Sequence, residues 1–146
     1  MNIKCIVVDD EPLAIEKITE YIDPEIVMPS VSQGIIGVEC RTDDDFINGI
    51  LHEINHKMSF IIASAERTFL RVIEGGCQVP CGCISTVSEN TFSIKGMISD
   101  LEGKEVITKS LSGPLDHADK IAEELGRNIL DAGGREIFAR IRDNGV

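Results

Sequence analysis

The sequence predicts an α+β fold: a small three-stranded antiparallel sheet covered by helices, preceded by a strand–helix unit and a linking strand. Three observations predict it. Apolar residues recur at helical spacing in three stretches before residue 75. After Pro80 the period changes to two, over short runs separated by turn residues. Helical spacing returns after Ser112-Gly113-Pro114. The chain divides into a strand–helix unit at 1–22, a linking segment and strand at 23–41, and a main domain at 42–146.

Composition sets the limits. The 146 residues are 42% hydrophobic but only 4% aromatic, with no Trp, so Leu, Ile and Val must fill the core. A formal net charge of -11 argues against nucleic acid or an anionic membrane surface as partner. No apolar run approaches the roughly 18 residues of a membrane span. Asp9, Asp10 and Glu11 interrupt the first apolar run, which is therefore not a signal peptide. A cytoplasmic protein is expected, with its five cysteines mostly reduced.

In order, residues 2–8 form a short β-branched run that suits a buried strand. Asp9-Asp10-Glu11-Pro12 then starts a helix carrying Ala14, Ile15, Ile18, Tyr21 and Ile22 on one side. Asp23 to Pro29 is a Pro-bounded connection. Ser30 to Glu39 reads as a strand with Gly34 and Gly37 permitting close backbone approach. Thr42-Asp43-Asp44-Asp45 starts a helix bearing Phe46, Ile47, Ile50, Leu51 and Ile54, which Asn55-His56-Lys57 breaks. His52 and His56 share helical spacing without a further ligand and read as surface residues.

The next helix runs from about Ser59 to Glu74, with Ile62, Ala65, Phe69, Val72 and Ile73 on one face. Gly75-Gly76 ends it and Pro80 prevents its resuming, which holds Cys77 at a helix-to-strand corner. Strands follow at 83–87, 91–99 and 106–111, with Phe92, Ile94 and either Met97 or Ile98 inward. Asp116 to Asp131 carries Ala118, Ile121, Ala122, Leu125 and Ile129 at helical spacing. Gly133-Gly134 stops that helix, and Arg135 to Arg142 is a short closing helix or turn.

Two families are resembled. Ala65 to Ile73 running into Glu74-Gly75-Gly76-Cys77-Gln78-Val79-Pro80 resembles porphobilinogen deaminase, also called hydroxymethylbilane synthase. The resemblance begins at Asp23-Pro24-Glu25, continues through Met28 to Arg41, and extends to Gly133-Gly134-Arg135-Glu136-Ile137. It implies a tetrapyrrole-biosynthesis transferase that joins porphobilinogen units on a cysteine-linked dipyrromethane. It makes Cys77 the attachment cysteine and places Gln33 near the cofactor. It also implies that 42–146 is the deaminase C-terminal domain. Separately, Ile6 to Ala14 resembles the start of a response-regulator receiver domain, where the acidic pair helps to hold Mg²⁺. No strand ending in a phospho-acceptor Asp follows it.

Plainer readings stand beside these. Asp9 and Asp10 also read as a solvated helix start, Gln33 as an amide bonded to backbone, and Cys77 as an ordinary corner thiol. Cys77-x₃-Cys81-x-Cys83 with the distant Cys40 is a poor match to the paired arms of a zinc site. Cys81 and Cys83 read as small core residues. No metal site and no catalytic residue is assigned. In the family the catalytic aspartate, and most arginines that bind the pyrrole carboxylates, lie in domains missing here. The isolated chain is therefore expected to be inactive, a graft or truncation. Small-molecule pyrroles are its expected partners if the cavity is completed, and a homo-oligomer would cover apolar surface the missing domains leave open. A phospho-signalling module, or a structural chimera without ligand, is the alternative.

Overall fold

The computed structural model describes residues 4–7, 23–24, 26–73 and 79–143. Its elements are β1 (Lys4–Val7), β2 (Gly37–Cys40), α1 (Asp45–Ile54), α2 (Lys57–Ile73), β3 (Cys81–Ser88), β4 (Thr91–Ser99), β5 (Val106–Pro114), a 3₁₀ turn (Leu115–His117), α3 (Ala118–Ile129), a π turn (Leu130–Gly134) and α4 (Arg135–Asp143). The strands form a two-stranded antiparallel sheet, β1–β2, and a three-stranded antiparallel sheet ordered β3–β4–β5. The α+β class expected from the sequence is the class observed.

The core lies between the larger sheet and the α2–α3 pair. Strand β4 is central and turns Phe92, Ile94 and Ile98 inward, so the period of two selects Ile98 over Met97. These meet Ala65, Phe69 and Ile73 of α2 and Ala122, Leu125 and Ile129 of α3. Two glycines set the spacing. A Cβ on Gly96 would lie 2.7 Å from Phe69 Cζ and 3.2 Å from Leu125 Cδ2. A Cβ on Gly126 would lie 2.7 Å from Val72 Cγ1, where α2 crosses α3. Helix α4 adds Ile137, Phe138 and Ile141 to the core. Its Arg140 clamps Glu105 through both guanidinium nitrogens, tying α4 to the β4–β5 loop.

The boundaries differ from the sequence reading in instructive places. Asp44 is the α1 N-cap, accepting from the Ile47 N–H at 3.1 Å. Helix α2 begins two residues early because His56 Nδ1 accepts the Ser59 N–H at 3.3 Å. Strand β5 continues through Ser112-Gly113-Pro114 to pair with Thr91 to Ser93. It is an edge strand, so Pro114 costs no central ladder bond, and the Gly113 site leaves room for Ile121. The α3 helix ends at Ile129; Gly133, at φ 115, turns the chain into α4.

The clearest correction concerns 30–39. A continuous strand was expected; the chain instead turns at 31–34 and is a strand only over Gly37–Cys40. Ser32 (φ 57) and Gly34 (φ 80) both take the left-handed conformation, which no strand accommodates. The opening helix expected at 12–22 lies outside the described residues, and of the opening strand only the backbone of β1 is described.

Gly96→Ala should destabilise the fold by about 1–3 kcal/mol, since its Cβ has no space. Gly49→Ala in α1, where nothing lies within 4 Å of a Cβ, should be neutral or stabilising by up to about 1 kcal/mol. Urea unfolding midpoints of the two variants check both.

Candidate functional site

The linking segment joins the larger sheet at the start of β3. A Cβ on Gly82 would lie 2.5 Å from the Pro29 carbonyl oxygen, so residues 28–29 lie directly against the β3 backbone there. Three residues on, the chain meets α2. The Ser32 N–H donates to Glu66 Oε2 at 2.7 Å. Glu66 is 5% exposed, one of two buried polar or charged residues among those described. It stands on the apolar face of α2, one turn before Phe69.

This carboxylate organises the turn that carries Gln33. With the Ser32 amide fixed, the Gln33 N–H donates to the Ser30 carbonyl at 3.0 Å and the Ile35 N–H to the Ser32 carbonyl at 3.3 Å. Gln33 is exposed. Burial pushes the Glu66 pKa up, against the lowering effect of the Ser32 amide and of Ser85. The Ser85 hydroxyl is buried and makes no hydrogen bond of its own, but it faces Glu66 and favours the ionised form.

The cysteines separate by environment. Cys83 is 1% exposed, and burial, then the nearby Glu66 and Cys81, hold its thiol well above the usual range. Burial also raises Cys81. Both are free and pack in or against the core, the role expected for them. Cys40 in β2 donates its S–H to Asn48 Oδ1 at 3.5 Å. Among the described residues no three His, Cys, Asp or Glu side chains gather as a metal ion would need. His52 and His56 are exposed. Cys77 lies outside the described residues, as do Asp9 and Asp10. On either side of the Cys77 segment, Ile73 is 1% exposed in the core and Val79 packs against it.

Arg41 lies 3.7 Å from Asp44, Arg127 pairs with Glu123, Arg135 is 3.1 Å from Asp131, and Arg140 pairs with Glu105. Arg67 and Arg142 are exposed. No helix among the described residues is long and apolar enough to cross a membrane.

Glu66→Leu should cost about 1–3 kcal/mol by leaving the Ser32 N–H unpaired. Glu66→Gln keeps an acceptor and should cost less. An acid with a raised folded-state pKa favours folding while protonated, and that advantage is lost as pH rises from the ordinary value of 4.5 through the folded-state pKa. Relative to Glu66→Gln, the native chain should therefore lose stability between acidic and neutral pH, as denaturant melts at several pH values will show.

Comparison with known proteins agrees with these features. The family model for the porphobilinogen deaminase C-terminal domain matches residues 60–131. That for the deaminase dipyromethane cofactor binding domain matches residues 11–49, reaching into the receiver-like opening. A porphobilinogen deaminase of Carboxydothermus hydrogenoformans is 40% identical over 127 residues, 87% of this chain and 41% of the relative. That of Syntrophomonas wolfei is 37% identical over 87% of the chain and 42% of the relative. That of Syntrophobacter fumaroxidans is 35% identical over 86% and 40%. The chain thus spans about two fifths of the length of the curated relatives it matches. It belongs to the porphobilinogen deaminase family, matching the cofactor-binding domain over 11–49 and the C-terminal domain over 60–131.

Proposed function

We propose that this chain supplies the cofactor-carrying C-terminal part of a hydroxymethylbilane synthase, with dipyrromethane held on Cys77 through a thioether. The observation that carries the reading is the family match to the cofactor-binding domain at 11–49 and to the C-terminal domain at 60–131, the second of which includes position 77. Two neighbouring thiols argue the same way. Cys81 and Cys83 are kept protonated by burial, so neither is a ready nucleophile.

When bound, dipyrromethane is the primer on which porphobilinogen units are joined. The chain's own share is attachment and placement. Cys77 would hold the group: its thiol would give up a proton and form the thioether at a pyrrole aminomethyl carbon, whose C–N bond breaks and releases ammonia. Glu66 fixes the Ser32 amide, and with it the turn presenting Gln33. Charge matching is not supplied. A dipyrromethane carries several carboxylates and calls for clustered guanidinium groups. Here Arg41, Arg127, Arg135 and Arg140 are each paired with an acid of the chain itself. The chain fits the covalent link but not the whole cofactor, and turnover requires the rest of the enzyme. A cytoplasmic setting accords with this role.

Intact-mass measurement of the purified chain and of Cys77→Ser tests the reading. The native chain should carry a mass excess of two linked pyrrole units when produced together with the missing domains, and the variant none. An unmodified native chain under those conditions, or an excess that survives Cys77→Ser, would contradict it.

A further inference from the structure

Asn48 holds together the corner between β2 and α1. Its Nδ2 donates to the carbonyl oxygens of Asp44 at 2.7 Å, Arg41 at 3.0 Å and Thr42 at 3.4 Å. Its Oδ1 accepts the Cys40 S–H at 3.5 Å, and its backbone N–H donates to the Asp44 carbonyl at 2.9 Å. One side chain thus joins the end of β2, the connecting turn and the first turn of the helix. A carboxamide suits the place, with donors on one atom and an acceptor on the other.

The next residue is a glycine with no shield. Gly49 is exposed, and nothing lies within 4 Å of where its Cβ would be. Asparagine followed by glycine is the pair in which a backbone nitrogen most readily reaches the side-chain carbonyl carbon, because no Cβ obstructs the approach. A closed helix forbids it: the Gly49 nitrogen is turned into the helical ladder and away from Asn48 Cγ. The reaction must therefore run from opened α1, and that opening needs little energy. Of the ten residues of α1 only Leu51 is buried, while Phe46 is 75% exposed and Ile50 46%. Gly49 itself weakens the helix.

We propose that Asn48-Gly49 is a self-modification site, where a succinimide forms when α1 opens and its hydrolysis unties the β2–α1 corner. The Gly49 nitrogen attacks Asn48 Cγ. The Cγ–Nδ2 bond breaks, and Nδ2 leaves as ammonia with the proton of the Gly49 amide. Water then adds to either ring carbonyl and opens the ring, giving aspartate or isoaspartate. Aspartate presents only acceptors to the three carbonyls that Nδ2 satisfies. A negative charge in the opening turns of a helix is favourable, but it does not replace three lost donors facing carbonyl oxygens. Isoaspartate carries the main chain through its β-carbon, and the regular helical ladder cannot close across the extra atom. The change is one-way, so it accumulates with the time α1 spends open. It depends neither on cofactor attachment nor on the family assignment.

Incubation of the purified chain in warm, mildly alkaline buffer, followed by peptide mapping with mass detection, tests the proposal. Asn144-Gly145, the other Asn-Gly pair of the sequence, serves as the chemical reference. Asn48 should convert to a mixture of aspartate and isoaspartate, and faster in urea too dilute to unfold the core. Gly49→Ala should slow the conversion by about fivefold or more, since Ala both favours the closed helix and crowds the attack. The rate at Asn144 should not change. An Asn48 still intact when Asn144 has fully converted, or a rate indifferent to Gly49→Ala, would overturn the proposal. The structural consequence is read on Asn48→Asp. That variant should lose helical circular dichroism equivalent to the ten residues of α1, with the urea midpoint of the core unchanged. Full helicity in Asn48→Asp would overturn the untying of the corner.

Discussion

The edge of the Phe69 ring occupies the space where any residue but glycine at position 96 would place its Cβ. The rest of the domain depends on that contact. It lets α2 and α3 lie close against the central strand, and it brings Phe92, Ile94 and Ile98 into one apolar layer with Ala122, Leu125 and Ile129. Gly126 does the same between the helices. With 4% aromatic residues and no Trp, the core has few large side chains, and close approach of backbones replaces bulk.

Helix α2 serves two structures at once. One face is core of the C-terminal domain. Its Glu66 reaches out of that core to take the Ser32 amide, 34 residues earlier in the chain, and so anchors the linking turn to the domain. A buried carboxylate is an expensive anchor, and burial duly raises its pKa. The cost is offset locally by one short backbone bond and the facing Ser85. The consequence is a directed join: the turn bearing Gln33 is held against the element that leads into the Cys77 segment.

Much of this was legible in the sequence. The period change after Pro80 located the larger sheet, the Thr42-Asp43-Asp44-Asp45 cluster located the start of α1, and alternation from Phe92 onward predicted which face of β4 is inward. The family was legible in the words around Cys77. What failed had long-range causes. Ser32 adopts a left-handed conformation only because Glu66 satisfies its amide from a distant helix, so no local signal could break the expected strand at 30–39. Glu66 itself was missed, although an acid spaced three and seven residues before Phe69 and Ile73 on an apolar face was a sign that something needed a buried acceptor. The stripe of α1 was visible as amphipathicity; the exposure of Phe46, Ile50 and Ile54 was not.

The central claim is that the C-terminal domain is held by its own core while the cofactor-binding segment joined to it is sparsely buried among the described residues. Native-state hydrogen exchange of the isolated chain tests it most directly. Amides of β4, α2 and α3 should exchange only through global unfolding, while those of α1 and β2 exchange by cheap local opening, with much smaller protection. Protection of α1 and β2 equal to that of β4 would mean that the chain finishes that end by itself, and would contradict the account.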